Sequence, residues 1–144
     1  MIAVDTNILV HAHREESPWH KPAVASVREL AEGKAAWAIP WPCIHELLSK
    51  LTHPRIFAPP SDPGSALAFV DELLKSPSLV LLSEEEGYWP RLQKLLRDAH
   101  VVGPMVHDAR IAALCMANGV DELWTADRDF GRFPRLRTKN PLVS

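Results

Sequence analysis

The chain has 144 residues, of which 47% are hydrophobic and 24% charged, a composition that excludes an intrinsically disordered protein. Its net charge of −2 excludes a globally basic surface, so a polyanionic ligand would need local basic groups or metal ions. No apolar stretch approaches the roughly 18 residues of a membrane span, and the opening residues 1–4 are too short for a signal sequence, so we expect a cytoplasmic protein.

Hydrophobic periodicity predicts alternating strands and helices in the first half of the chain. The predicted order is a strand at 2–4, a turn at 6–7, a helix from 8 to 12, a helix N-capped by Ser17 and running to 32, a strand at 35–39 and a helix at 43–51. The proline-rich stretch 53–63 is the one segment that is long enough to be a lid or a contact surface for a partner.

The second half of the chain continues the same alternation. Its predicted elements are a helix at 67–74, a buried parallel strand at 79–82, a helix capped by Ser83 and running to 99, a helix at 105–117, a strand at 122–126 and a short edge strand at 136–138. Strands separated by helices predict an α/β protein with a central parallel sheet of four or five strands and helices on both faces.

Five acidic residues stand where such a sheet can bring carboxylates together. Asp5 follows the first strand and Asp127 follows the strand at 122–126, so both are expected at the carboxyl edge of the sheet, where open α/β sheets bind ligands. Glu46 is predicted in the first turn of its helix, Asp108 near the start of the helix at 105–117, and Asp129 two residues after Asp127. Carboxylates at such proximity repel one another unless a cation is bound, so the pattern predicts a metal site.

Each of these acids also has a simpler explanation when it is taken alone. Asp5 can close the first strand as an Asx turn, and Glu46 can favour the positive end of a helix. The segment 127–129 can be an exposed turn with a weak internal ion pair. The shared convergence favours the metal site, and oxygen ligands favour Mg²⁺ or Mn²⁺ because no thiolate or imidazole pair competes for a softer ion.

Four motifs closely resemble those of one protein family. They are Val4-Asp5-Thr6-Asn7-Ile8-Leu9, the isolated Glu46 in an apolar helix, His107-Asp108-Ala109-Arg110-Ile111-Ala112-Ala113, and Leu123-Trp124-Thr125-Ala126-Asp127-Arg128-Asp129-Phe130. Together they resemble the PIN-domain ribonucleases and, among these, the VapC toxins of bacterial VapBC toxin–antitoxin systems. The resemblance runs from Asp5 to Pro141 in the order that the family shows.

The resemblance implies a single three-layer α/β/α PIN-like domain at 1–144 with Mg²⁺- or Mn²⁺-dependent endoribonuclease activity. A metal-activated water would cleave RNA phosphodiester bonds and inhibit translation and growth until a VapB-like antitoxin neutralises the toxin. The family is also expected to form a homodimer.

The resemblance further assigns roles to individual residues. It implies that Asp5, Glu46, Asp108 and Asp127 are catalytic, and that Asp5, Asp108 and Asp127 are the metal ligands. Asn7 and Thr125 would orient these acids by hydrogen bonds. Asp129 would either share in binding the metal or turn inward to cap the following helical turn.

Basic residues near the C-terminus supply the local positive charge that an RNA ligand needs. Residues 130–144 carry three arginines and a lysine with no acid among them. We interpret this segment as part of a phosphate-binding rim that basic residues elsewhere in the chain also join. The candidate RNA contacts in this rim are Arg14, Lys21, Arg128, Arg132 and Arg135. The alternative is a solvated surface that offsets the acidic remainder of the chain.

Two other functions compete with the ribonuclease hypothesis. Phosphatases of the haloacid-dehalogenase type also begin with an aspartate after their first strand, but they place a second aspartate two positions later, where this chain has Asn7. The other alternative is a catalytically silent PIN-like module that binds RNA or protein. The presence of all four acids argues against such a loss of activity.

Overall fold

Strands and helices alternate along the chain in the computed structural model, which describes residues 1–143. Within these residues the strands are β1 (Ile2–Val4), β2 (Trp37–Pro40), β3 (Leu79–Leu82), β4 (Glu122–Trp124) and β5 (Thr138–Lys139). The helices are α1 (Thr6–His13), α2 (His20–Glu32), α3 (Trp41–Leu51), α4 (Pro63–Leu74), α5 (Tyr88–Asp98) and α6 (Met105–Ala117), followed by a 3₁₀ helix at Arg128–Arg132. None of these helices has the length and apolar character to cross a membrane.

The five strands form one sheet in the order β3-β2-β1-β4-β5, and every pair is parallel. The chain steps outward from β1 to β3 and then crosses back to β4 on the other side of β1. Because crossovers between parallel strands are right-handed, this reversal sends the connecting helices to the opposite face. The predicted three-layer α/β/α class with a parallel sheet is confirmed.

The reversal of strand order creates a crevice between β1 and β4. Ala3 and Val4 pair with Leu123 and Trp124, so the two strands end side by side. In open α/β sheets, ligands bind outside the carboxyl ends of the strands at such a switch point. The topology therefore selects the ends of β1 and β4 as the place for a site.

The core lies between the sheet and its two helical layers. On one side α1 packs against α2 and α3, and α3 contacts α4, while α5 packs against α6 elsewhere. The central strand β1 contributes Ala3 and Val4, which have no exposed surface. The expectation that the apolar strand at 79–82 is buried is wrong in part: β3 is parallel but forms the edge of the sheet, and Val80 is 41% exposed.

Two helices near the predicted site begin earlier than the sequence suggested. Asp5 caps α1 directly, so the helix starts at Thr6 and the predicted turn at 6–7 is wrong. Helix α3 starts at Trp41, two residues before the prediction, because Pro42 fits its first turn. We had expected Glu46 in the first turn of this helix, but it consequently lies beyond that turn.

Other helix boundaries differ for reasons that are equally local. Helix α5 begins after Gly87, whose left-handed φ of 85° ends the preceding turn, so Ser83 does not cap it. Helix α4 begins at Pro63 because Asp62 accepts a hydrogen bond from the Ser65 amide and caps it. Helix α2 begins at His20 instead of directly after Ser17. Strand β4 ends at Trp124, short of the predicted 126, and β5 lies at Thr138–Lys139 instead of 136–138.

Candidate metal centre

Asp5 lies at the junction of β1 and α1 and is 5% exposed. Its backbone N–H donates to the Trp124 carbonyl at 3.0 Å, which extends the pairing of β1 with β4 by one residue. The carboxylate Oδ1 accepts from the Thr6 amide at 2.8 Å, and Oδ2 accepts from the Thr125 hydroxyl at 2.8 Å and from Asn7 Nδ2 at 3.1 Å. Asp5 is thus both the cap of α1 and a fixed carboxylate at the switch point.

The protonation of Asp5 depends on two opposing effects. Burial is the larger effect and raises the pKa of its carboxyl group above the usual value, although the hydrogen bonds from Thr125 and from the Thr6 amide offset part of the rise. The thiol of Cys43, which is itself buried, lies 3.5 Å from Oδ1 and donates weakly to it. These donors favour the ionised form in a position where burial alone would penalise it.

Thr125 and Asn7 connect the ends of β1 and β4. The Thr125 hydroxyl oxygen accepts from Asn7 Nδ2 at 3.2 Å and from the Asp127 amide at 3.0 Å while its hydrogen is donated to Asp5. Asn7 Oδ1 accepts from the Ala126 amide at 2.9 Å. The two residues that we expected to orient the acids therefore form a network that links Asp5 to the segment carrying Asp127.

Three further carboxylates cluster beside this network. One oxygen from each of Asp108, Asp127 and Asp129 lies within 4.8 Å of the other two. Asp127 caps the 3₁₀ helix and accepts from the Asp129 amide at 2.8 Å, and this turn returns Asp129 toward the cluster. Asp108 lies in the first turn of α6, where the helix dipole favours a negative charge.

The environment of Asp108 makes its ionised form costly. Burial is the largest cause, and the negative charges of Asp127, Asp5, Asp129 and Glu46 add to it, so that the pKa of Asp108 rises to about 6. A carboxylate this close to other acids gains from any cation placed among them.

Glu46 lies near the network but outside the group of three carboxylates. Its Oε2 accepts from the Thr6 hydroxyl at 3.4 Å, and its Oε1 is 2.8 Å from Lys50 Nζ one turn along α3. The structure therefore brings Glu46 close to Asp5 through Thr6, and a lysine offsets part of its charge.

The donor set fits a hard divalent cation. Asp108, Asp127 and Asp129 each offer a carboxylate oxygen, which Mg²⁺ and Mn²⁺ prefer. We had expected Asp5 in this group and left Asp129 undecided; in the structure Asp129 joins the group, and both oxygens of Asp5 accept from protein donors.

A cavity opens directly against Asp108 and Glu46. It has a volume of about 370 Å³, and its lining residues are Pro42, Glu46, Pro104, His107, Asp108, Arg110 and Ile111. We did not identify Arg110 from the sequence as a functional residue, although it stands two positions after Asp108 in the same motif. Its guanidinium is held by Glu84, with Nε at 2.7 Å and Nη2 at 2.6 Å from Oε1.

The candidate RNA-contacting residues lie in several places. Arg14 is bonded to Glu16, to the Ser61 hydroxyl and to the Pro59 carbonyl, and it covers the Phe57 ring. Lys21 is exposed on α2, and Arg128 is exposed at the start of the 3₁₀ helix.

Arg132 and Arg135 line a second, larger groove of about 520 Å³. Helix α5 contributes Arg91 and Lys94 to the same groove, and Phe133 contributes to its apolar lining. We did not predict Arg91 and Lys94 as RNA contacts because they lie far from the basic C-terminal segment along the chain.

Comparison with known proteins places this geometry in a family. The PIN domain model matches residues 2–136. Ribonuclease VapC43 of Mycobacterium tuberculosis is 33% identical over 142 residues, which cover 99% of this chain and 96% of that protein. Ribonuclease VapC48 of the same species is 29% identical over 137 residues, which cover 95% and 94% of the two chains.

Solved structures share the fold at lower identity. VapBC2 from Rickettsia felis, bound to a DNA fragment from its promoter, superposes with a TM-score of 0.67 at 21% identity over 96% of this chain and 98% of that one. VapC20 from Mycobacterium tuberculosis, described as a toxin that cleaves the sarcin–ricin loop, also gives 0.67 at 16% identity over 91% and 93%. Because the PIN domain model matches nearly the whole chain, this protein belongs to the PIN-domain family, and the two sequence relatives above are VapC ribonucleases.

Proposed function

We propose that this chain is a divalent-metal-dependent endoribonuclease that acts as the toxin of a type II toxin–antitoxin pair. The observation that carries the proposal is the group formed by Asp108, Asp127 and Asp129, which stands beside the buried Asp5 at the switch point of the sheet. The sequence relatives are named ribonucleases, which favours RNA as the substrate.

Asp108, Asp127 and Asp129 would hold Mg²⁺ or Mn²⁺. When bound, such a cation lowers the pKa of a coordinated water and neutralises charge that develops on the leaving oxygen. Asp5 stands behind these three carboxylates, and its hydrogen bonds from Thr125 and the Thr6 amide orient it and offset part of the cost of burying its charge.

Asn7 and Thr125 act as positioning residues. They join the end of β1 to the segment that carries Asp127. The distance between the acids on these two segments is therefore kept when a cation binds. Glu46 borders the cavity beside Asp108, and its pairing with Lys50 limits the repulsion that it adds. The acids of this chain thus form a negatively charged surface, held in place by hydrogen bonds, next to which a phosphodiester would bind.

The RNA itself needs positive charge, because an acidic site repels phosphate. The groove lined by Arg132, Arg135, Arg91 and Lys94 supplies it next to the 3₁₀ helix that carries Asp129. Arg128 on the same 3₁₀ helix and Lys21 on α2 are exposed and are further candidate RNA contacts, whereas the bonds of Arg14 give it a role in holding the proline-rich loop as well.

We also propose that the chain forms a homodimer and binds a VapB-like antitoxin that prevents RNA cleavage. Solved structures with the same fold include VapBC assemblies, which supports a protein partner of this kind. In this proposal the free toxin cleaves cytoplasmic RNA and inhibits translation and growth.

The test is cleavage of end-labelled RNA by the purified chain with Mg²⁺, with Mn²⁺ and with EDTA. We expect cleavage with either ion, none in EDTA, and a loss of at least about a hundredfold in Asp108→Asn, because the substitution removes a charged ligand. The matched control is Asp71→Asn, an exposed acid on α4 that should keep full activity. Equal cleavage in EDTA and Mg²⁺, or full activity of Asp108→Asn, would contradict the proposal.

A further inference from the structure

The cavity beside Asp108 has the size and the chemistry of a nucleotide subsite. Its volume of about 370 Å³ lies within the range of about 300–1,000 Å³ that is usual for small-ligand sites. Pro42 on α3 and Pro104 before α6 contribute rigid apolar surface, and Ile111 adds an aliphatic side chain. An unstacked base of single-stranded RNA stacks on an aromatic ring or a guanidinium plane, and His107 and Arg110 in the cavity lining supply such groups.

Arg110 is the residue that can read a base in this cavity. Glu84, which precedes α5, accepts from Nε and from one hydrogen of Nη2, so the edge formed by Nη1 and the second Nη2 hydrogen is the one that can face a ligand. An arginine fixed by a carboxylate loses little side-chain freedom on binding, and its planar group suits acceptor atoms on a base edge. Arg110 thereby gives the cavity a directional donor close to Asp108 and Glu46.

We propose that this cavity binds the nucleotide adjoining the scissile phosphate, and that Arg110, positioned by Glu84, sets the base preference of cleavage by donating to an acceptor on that base. The carboxylates of Asp108 and Glu46 border the same cavity, which places the bound nucleotide next to the site of cleavage. Guanine is the expected base, since its O6 and N7 accept from one guanidinium. The inference depends on the proposed ribonuclease function and deepens it.

The experiment measures kcat/KM on short single-stranded RNAs that differ only in the base on either side of the cleaved bond. For the wild-type chain we expect one of these positions to show a preference of about fivefold or more for its best base. In Arg110→Met this ratio should fall to within twofold, because the best substrate loses the donor that distinguishes its base from the others. Glu84→Gln should reduce the ratio in the same direction with Arg110 still present.

Arg28 and Glu32 on α2 provide the matched control, because they form an exposed ion pair away from the cavity. Arg28→Met and Glu32→Gln should leave the base preference unchanged. A wild-type chain without any base preference at these positions, or an unchanged preference in Arg110→Met or, if that variant does not fold, in Glu84→Gln, overturns the inference while the ribonuclease proposal stands. If the wild-type chain cleaves no RNA at all, both proposals fail.

Discussion

Replacing Asp108 by asparagine should stabilise the metal-free protein at neutral pH, although it removes a ligand. The pKa of Asp108 rises from 3.8 to about 6 in the folded state, mainly through burial and then through the charge of Asp127 and the neighbouring acids. The folded chain therefore holds this proton more tightly than the unfolded chain does. The free energy of unfolding therefore decreases as the pH rises from about 4 to about 6, and above pH 6 the full cost of ionising Asp108 in the folded state is present. Asparagine carries no such penalty.

The size of the gain follows from this pKa. A rise from 3.8 to about 6 corresponds to about 3 kcal/mol in a site without solvent. Asp108 is partly exposed, so water and salt screen the repulsion, and about 1 kcal/mol is the expected gain. For a chain of this length, that corresponds to an increase of about 3 °C in Tm.

The assay is thermal unfolding of wild type and Asp108→Asn in EDTA from pH 4 to pH 8. The gain should be absent near pH 4 and complete above pH 6. With Mg²⁺ at a hundred times its Kd, wild type should gain about 2.7 kcal/mol and the variant much less, so the order of stability reverses. Asp98→Asn, which loses an ion pair with Lys94, should show no gain at any pH. A gain that is equal at pH 4 and pH 8, or a variant less stable than wild type in EDTA at pH 7.5, refutes this electrostatic reasoning.

Three further predictions concern the network, the basic groove and a helix end. Thr125→Val should lower the free energy of unfolding by about 2 kcal/mol at pH 7, because the buried carboxylate that follows β1 loses a donor, whereas Thr125→Ser should lose less than half of that in urea titrations. The double variant Arg132→Met with Arg135→Met should reduce the slope of log binding constant against log salt by about 1.4 for a non-cleavable single-stranded RNA, and an unchanged slope would remove both from the RNA path. Gly119→Ala should cost about 1 kcal/mol in thermal unfolding because this residue has φ of 69°, whereas Gly131→Ala, which has open space around it, should cost little.

The positions of Asp5 and Asp127 could be predicted from the sequence because Asp5 directly follows β1 and Asp127 lies three positions after the end of β4. Parallel strands end at one edge, so two such acids meet whenever their strands are neighbours. That β1 and β4 are neighbours follows from the reversal of strand order, which no local pattern contains. The family resemblance was the only sequence signal for that pairing.

The parts of the site that escaped prediction depend on turns and on contacts between distant segments. Asp129 reaches the carboxylate group because a 3₁₀ turn follows Asp127, and a five-residue turn leaves no periodic pattern. The predicted position of Glu46 in the first turn of α3 was wrong because Pro42 is compatible both with a loop and with the first turn of a helix. Arg110 and Glu84 are 26 residues apart, and no local sequence pattern predicts their ion pair.

The pairing of β1 with β4 also governs when the site can exist during synthesis. Asp5 and Thr125 bond across 120 positions of the chain, so the first acid of the site is made long before its partners. A ribosome-bound chain that has not yet released residues 122–129 lacks both the strand beside β1 and two of the three clustered carboxylates. Under the proposed function, fragments that end before residue 122 would lack the metal site, so we expect them to be inactive.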